Sequence, residues 1–130
     1  MLLITILAIL GLAVSVAAHR KRGALLPSIG CDTAGCDTVL HSRQAALFAG
    51  LPNTIIGMVW YAVLLLWSMA AFLLVFPLWL PTLLTLGAAA ALAISIYLAA
   101  TLLFVLKQPC PLCFTAHAIN AAILVVFLLL

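Results

Sequence analysis

The chain has 130 residues, of which 69% are hydrophobic and 5% charged. So few charges cannot cover the surface of a water-soluble domain, and a polytopic membrane protein is the class that remains. The net charge of +3 rests on Arg20, Lys21, Arg22, Arg43 and Lys107 against Asp32 and Asp37, which is too little for a nucleic-acid surface and reads better as headgroup anchoring.

Residues 1–18 are apolar apart from Thr5 and Ser15. At about 1.5 Å per residue they nearly cross a ~30 Å hydrocarbon core. A signal peptide is the competing reading, because Val16-Ala17-Ala18 resembles a small-residue cleavage site. The stretch lacks the basic n-region of such peptides, so a first transmembrane helix over about 2–19 is preferred. His19-Arg20-Lys21-Arg22-Gly23 closes it.

A long polar loop follows, over 20–51. Pro27, Ser28 and Gly30 argue for irregular backbone. Cys31 and Cys36 lie within it, beside Gly30 and Gly35. Residues 37–48 have the pattern of a short amphipathic helix along the interface, with Val39, Leu40, Leu47 and Phe48 inward and Arg43 outward. Gly50-Leu51-Pro52 is a break, and Pro52 suits the first turn of a helix.

The second helix is predicted over about 52–76. Pro77-Leu78-Trp79-Leu80-Pro81 is an uncharged connection with a Trp at headgroup level. The third helix runs over about 81–106 and ends at Lys107-Gln108-Pro109. The fourth runs over about 111–130. There is no repeat and no second domain: the architecture expected is all-α, a four-transmembrane-helix bundle forming one domain, with one long cysteine-bearing loop between helices one and two.

Two helices separate Cys31 and Cys36 from Cys110-Pro111-Leu112-Cys113. Two crossings return the chain to its starting side, so both cysteine pairs face one compartment. Cys110 and Cys113 are three residues apart at a helix start. They can form a disulfide, and the helix dipole with its unpaired amides favours the reactive thiolate. Small buried thiols are the bland alternative. A zinc site built from Cys-x4-Cys and Cys-x2-Cys is another. Cys31 and Cys36 on mobile backbone suit a carrier that meets a soluble protein and then exchanges with Cys110 through mixed disulfides. A static loop staple is the plainer reading of that pair.

Cys110, Cys113, His117 and Asn120 fall within one helical stripe about 80° wide. Asn53, Gly57 and Trp60 form a stripe on the second helix. Asn53 is a donor near the cysteine side, Gly57 leaves space, and Trp60 or Tyr61 can wall a flat ring. Intramembrane polar residues tend to mark a pathway or a ligand. The bland reading is helix packing at Gly57, with Asn53 and His117 bonded to each other or to carbonyls. Beside a Cys-x-x-Cys, the set fits a ligand with a polar head and an apolar tail, such as a quinone.

Three segments carry a resemblance: Cys31 with Cys36-Asp-Thr-Val-Leu-His-Ser42, Phe48-Ala-Gly-Leu-Pro-Asn53-Thr-Ile-Ile-Gly57, and Cys110-Pro-Leu-Cys113-Phe-Thr115-Ala-His117-Ala-Ile-Asn120. In order and spacing the chain resembles the vitamin K epoxide reductase family in its small prokaryotic form, over roughly residues 25–125. The resemblance implies a four-helix bundle around a quinone, with Cys110 and Cys113 as the active-site pair and Cys113 nearer the quinone. It implies that Cys31 meets a thioredoxin-fold, DsbA-like partner and that Cys36 forms the transient disulfide with Cys110. Asn53 matches the family's quinone-bonding position and Ser42 its loop serine. His117 stands where animal members carry Tyr, the loop cysteines are closer together than in many relatives, and the segment from Ser42 to Pro52 is short.

The function expected is that of a membrane thiol–disulfide oxidoreductase. It takes two electrons from a separate thioredoxin-fold chain and passes them through Cys31/Cys36 and Cys110/Cys113 to ubiquinone or menaquinone, or to a vitamin K-type quinone. It thereby supports protein disulfide formation, and a monomer is expected. The disulfide carriers with the highest potentials lie near about −120 mV, so only an acceptor of higher potential can reoxidise them. The bacterial disulfide-bond protein B has four helices and two cysteine pairs in the reverse order and is rejected. A cysteine-based metal carrier is the alternative from another class. A drug transporter of this size depends on an intramembrane carboxylate, and the chain has no Glu and no Asp outside the loop. All five Lys and Arg lie on the cysteine side, so the positive-inside rule points that face to the cytoplasm. The family resemblance points it outward across the cell (inner) membrane, and the outward placement is taken.

Overall fold

A computed structural model describes residues 1–22, 46–48, 51–75, 77, 79–107 and 110–129. Its elements in order are α1 (Leu2–Arg22), β1 (Ala46–Phe48), β2 (Leu51–Pro52), α2 (Asn53–Ala70), α3 (Trp79–Ala100) with a π-helical continuation (Thr101–Leu106), and α4 (Pro111–Leu129). Four helical stretches are long and apolar enough to cross a membrane: Leu2–Arg20, Asn53–Ala70, Trp79–Leu106 and Pro111–Leu129. The all-α four-helix membrane architecture is the one read from hydropathy.

Several boundaries differ from the sequence expectation. α2 stops at Ala70 rather than Phe76. There the ladder tightens: Phe72 N–H bonds to Met69 O at 3.2 Å and Leu73 N–H to Ala70 O at 3.0 Å. α3 begins at Trp79, which places Pro81 inside its first turn, where a missing amide costs nothing. The helix expected over residues 37–48 is corrected at its end. Ala46–Phe48 is a strand paired antiparallel with Leu51–Pro52. Pro52 is extended (φ −60°, ψ 133°) and is the N-cap of α2 rather than its first residue. The chain therefore enters α2 directly from the β1–β2 pair. The rest of that segment lies outside the described residues, as do Cys31, Cys36, Ser42 and Arg43.

α1 packs on α2 and α4, and α3 packs on α4. The order around the bundle is therefore α2–α1–α4–α3, and it leaves α2 and α3 as the loosely joined pair. Close approach of α1 and α2 depends on glycine. A side chain at Gly11 would run into the Tyr61 ring, and one at Gly57 would meet Ser15 Oγ at 2.9 Å. The main core holds Ile4, Ala8, Tyr61, Leu64, Trp67, Leu84, Ala88, Ile119, Ile123 and Phe127. A smaller cluster of Ala18, Leu102 and Cys110 closes the other end. Many large apolar side chains point outward, among them Leu66, Leu73, Phe104 and Leu128. That is the pattern of a surface solvated by lipid rather than water.

Candidate functional site

The cysteine end is where α1 finishes, α2 starts, α3 finishes and α4 starts. Cys110 and Cys113 are joined by a disulfide, with Cα atoms 5.3 Å apart. Pro111 opens α4, and Phe114 N–H closes the first turn on Cys110 O at 3.1 Å. Cys113 thus lies within the first turn, where amides are unpaired and the dipole is positive. The two sulfurs have different surroundings. Cys110 is 0% exposed and packs with Ala18 and Leu102. Cys113 lines a cavity.

This cavity, of about 290 Å³, lies inside the bundle between α2 and α3. Asn53, Gly57, Trp60, Tyr61, His117 and Asn120 all line it together with Cys113. Helical spacing brings them there: α2 turns Asn53, Gly57 and Trp60 to one face, and α4 turns Cys113, His117 and Asn120 to the facing one. The structure thus gathers all six expected ligand residues and one half of the Cys110–Cys113 disulfide around a single space.

Their polar groups fall into two kinds. Tyr61, 2% exposed, donates its hydroxyl proton to Asn120 Oδ1 at 2.9 Å, with Ala116 O at 3.3 Å. Asn120 Nδ2 donates in turn to Ser95 Oγ at 2.8 Å. This chain ties α2, α4 and α3 together at the inner end of the cavity. By contrast, Trp60 Nε1 and His117 Nε2 are buried without a hydrogen-bond partner among the described residues. No hydrogen bond joins His117 to Asn53 among the described residues. The His117 ring instead meets the Phe114 ring edge-on, with centroids 6.3 Å apart. At the rim, His19 Nδ1 and Thr54 Oγ1 are 3.1 Å apart and pin α1 to the start of α2.

The family model of the vitamin K epoxide reductase family matches residues 2–128. The chain belongs to that family. No curated protein matches it. Membership in the vitamin K epoxide reductase family makes this a multi-pass membrane oxidoreductase acting on thiols and disulfides. Members of the family use quinones and generally work with thioredoxin-like partners. A flat, acceptor-bearing ring suits the cavity found here. Its walls are largely apolar, and two buried nitrogens in its lining residues lack partners among the described residues, each at a cost of about 1–3 kcal/mol until something bonds to it.

The sequence reading missed the contribution of α1 and α3. Ser15 on α1 and Gly87, Ser95 and Thr101 on α3 also line the cavity. Gly87, Ala91 and Ser95 recur every fourth residue, a small-residue stripe that lets helices approach, and Ser95 is an isolated polar residue in an apolar run. The rule that singled out Asn120 applied equally to Ser95. The π-helical turn had no sequence signal. It sits directly before the Cys-x-x-Cys, contributes Thr101, Leu102 and Leu106 to the cavity wall, and ends on Lys107 in the left-handed conformation (φ 50°). Such turns are frequent at functional sites.

Proposed function

We propose that this protein reoxidises a thioredoxin-fold, DsbA-like protein and delivers the two electrons to a membrane quinone held in the α2–α3 cavity. The observation that carries the reading is the lining of that cavity by Cys113 together with Asn53 and His117. In the first exchange, the partner's two thiols become a disulfide as the Cys31–Cys36 disulfide becomes two thiols. In the second, Cys36 attacks Cys110, and Cys110–Cys113 is reduced as Cys31–Cys36 reforms. Cys110, the sulfur this exchange opens, packs with Ala18 and Leu102. A thiolate at Cys113 is favoured by its place in the first turn of α4. When bound, a quinone such as ubiquinone or menaquinone supplies the acceptor for two electrons and two protons.

The chain's own residues prepare that acceptor's place. Asn53 and His117 offer donors close to Cys113, Trp60 walls the ring, Gly57 lets Ser15 of α1 close the wall beside it, and Tyr61 and Asn120 close the space below. The loose α2–α3 seam suits entry of an apolar tail from lipid. Replacing Cys113 by Ala is expected to abolish quinone reduction by the dithiol-reduced protein. Full activity in Cys113→Ala would sink the mechanism. A metal carrier, unlike this oxidoreductase, needs free thiolates, so thiol titration with and without reductant separates the two. We further propose that the cysteine face is extracytoplasmic. A reporter fused after Leu130 then reports from the side opposite the cysteines, the cytoplasm, and a periplasmic signal would reverse that placement.

A further inference from the structure

The inner end of the cavity carries a directed chain of hydrogen bonds that ends on an uncommitted donor. Tyr61 gives its proton to Asn120 Oδ1 at 2.9 Å, and Asn120 Nδ2 gives one to Ser95 Oγ at 2.8 Å. The Ser95 oxygen is therefore an acceptor in this chain, and its own hydroxyl proton remains to be placed. Other hydroxyls on the same helix dispose of theirs by turning back: Thr85 bonds to Pro81 O and Thr101 to Tyr97 O, each at 2.9 Å. Ser95 makes no such bond among the described residues, although it is only 3% exposed and lines the cavity. A buried hydroxyl whose oxygen already accepts is a polarised donor, and leaving it unpaired is costly. The Trp60 N–H, donor only, is also unpartnered and belongs to the same lining.

The depth of this donor matters. Asn120 follows Cys113 by seven positions, so about 10 Å separate them along the helix axis. One flat ring fits between the sulfur and the Ser95–Asn120 floor. We infer that this floor is a second recognition pole: the Ser95 hydroxyl, held by Asn120 and Tyr61, donates to a ligand oxygen on the edge opposite Cys113, so the site selects a flat ligand with acceptors on opposite edges. This rests on the reading of the cavity as the electron acceptor's site and adds the feature that chooses among acceptors. Ser95 is then a specificity residue, and Asn120 and Tyr61 are its positioning residues.

Equilibrium binding to the oxidised protein tests this without turnover. Quenching of tryptophan fluorescence gives a Kd for two stable probes, 2,3-dimethyl-1,4-naphthoquinone, with oxygens on opposite edges, and acenaphthenequinone, with both on one edge. Wild type should prefer the first by roughly tenfold, Ser95→Ala should lose about that factor for the first probe alone, and Ser95→Thr, which keeps the hydroxyl, should restore it. Equal affinity of wild type for the two probes overturns the inference even if the Ala variant does not fold. So does an Ser95→Ala protein that binds the first probe as tightly as wild type, or that loses both probes equally. A wild-type protein that binds neither probe and reduces no quinone contradicts the acceptor-site reading itself, and the second pole with it. Reduction without discrimination between the probes removes only the second pole.

Discussion

Trp60 and Tyr61 are neighbours on α2, and each meets a glycine on a flanking helix, with opposite results. Tyr61 packs where a side chain at Gly11 of α1 would stand, and its hydroxyl is bonded to Asn120. Trp60 packs over Gly87 of α3, where an added Cβ would lie 2.8 Å from Cη2, yet its N–H has no partner among the described residues. The α1–α2 contact is close, and α4 satisfies its polar group. The α2–α3 contact is spread by a cavity and ends in unpaired donors. Successive residues of α2, about 100° apart, thus meet their glycines with the polar edge satisfied in one case and not in the other. The lesson is that glycine beside an aromatic residue does not by itself mark a finished interface. Whether the polar edge of the ring is satisfied separates the two cases.

The contrast can be broken from either side. The largest effect is expected at Gly11. Gly11→Leu has no room beside the buried Tyr61 ring, and overpacking of this kind costs about 1–3 kcal/mol or more. The thermal midpoint in detergent should fall sharply, or folded protein should fail to accumulate. Gly87→Leu should instead push Trp60 toward the cavity, with a small change in midpoint and a loss of quinone binding of at least roughly tenfold. A smaller, sharper comparison uses the two unpartnered indoles. Trp60→Phe should weaken quinone binding several-fold, whereas Trp67→Phe should leave it unchanged, because Trp67 stacks on Phe127 away from the cavity (centroids 5.5 Å apart). Binding titrations followed by quinone absorbance check both. The smallest effect is expected at the far end, where Thr5 Oγ1 bonds to Ser68 Oγ at 3.1 Å. Thr5→Val should cost about 0.6 kcal/mol, the average for such intramembrane bonds, with no change in quinone binding or reduction.

Much of this was legible in the sequence because lipid simplifies the problem. Four apolar runs separated by proline and charge can only be helices in a bilayer. The helical period then placed Cys113, His117 and Asn120 on one face and Asn53, Gly57 and Trp60 on another. What the period could not give was the order of helices around the bundle. Without it, the direction of Tyr61 toward α1 was invisible, and so was the role of α3, whose Gly87 and Ser95 gain meaning only once α3 is seen across the cavity from α2. The early stop of α2 at Ala70 has no signal in hydropathy, and neither does the extended Pro52 that pairs in β2. The π-helical turn before Cys110 depends on packing rather than on any residue that announces it.

The proposed transfer of electrons from Cys110 and Cys113 to an acceptor seated beside Cys113 is tested most directly by a single-turnover experiment. The protein is fully reduced with a dithiol, freed of reductant and mixed with one equivalent of a 1,4-naphthoquinone. Thiols are then counted by alkylation and mapped by mass spectrometry while hydroquinone is followed by absorbance. Wild type should lose two thiols per hydroquinone formed, and Cys113→Ala should form no hydroquinone. Hydroquinone formed at the wild-type rate in Cys113→Ala, or formed while the thiol count stays unchanged, would contradict it.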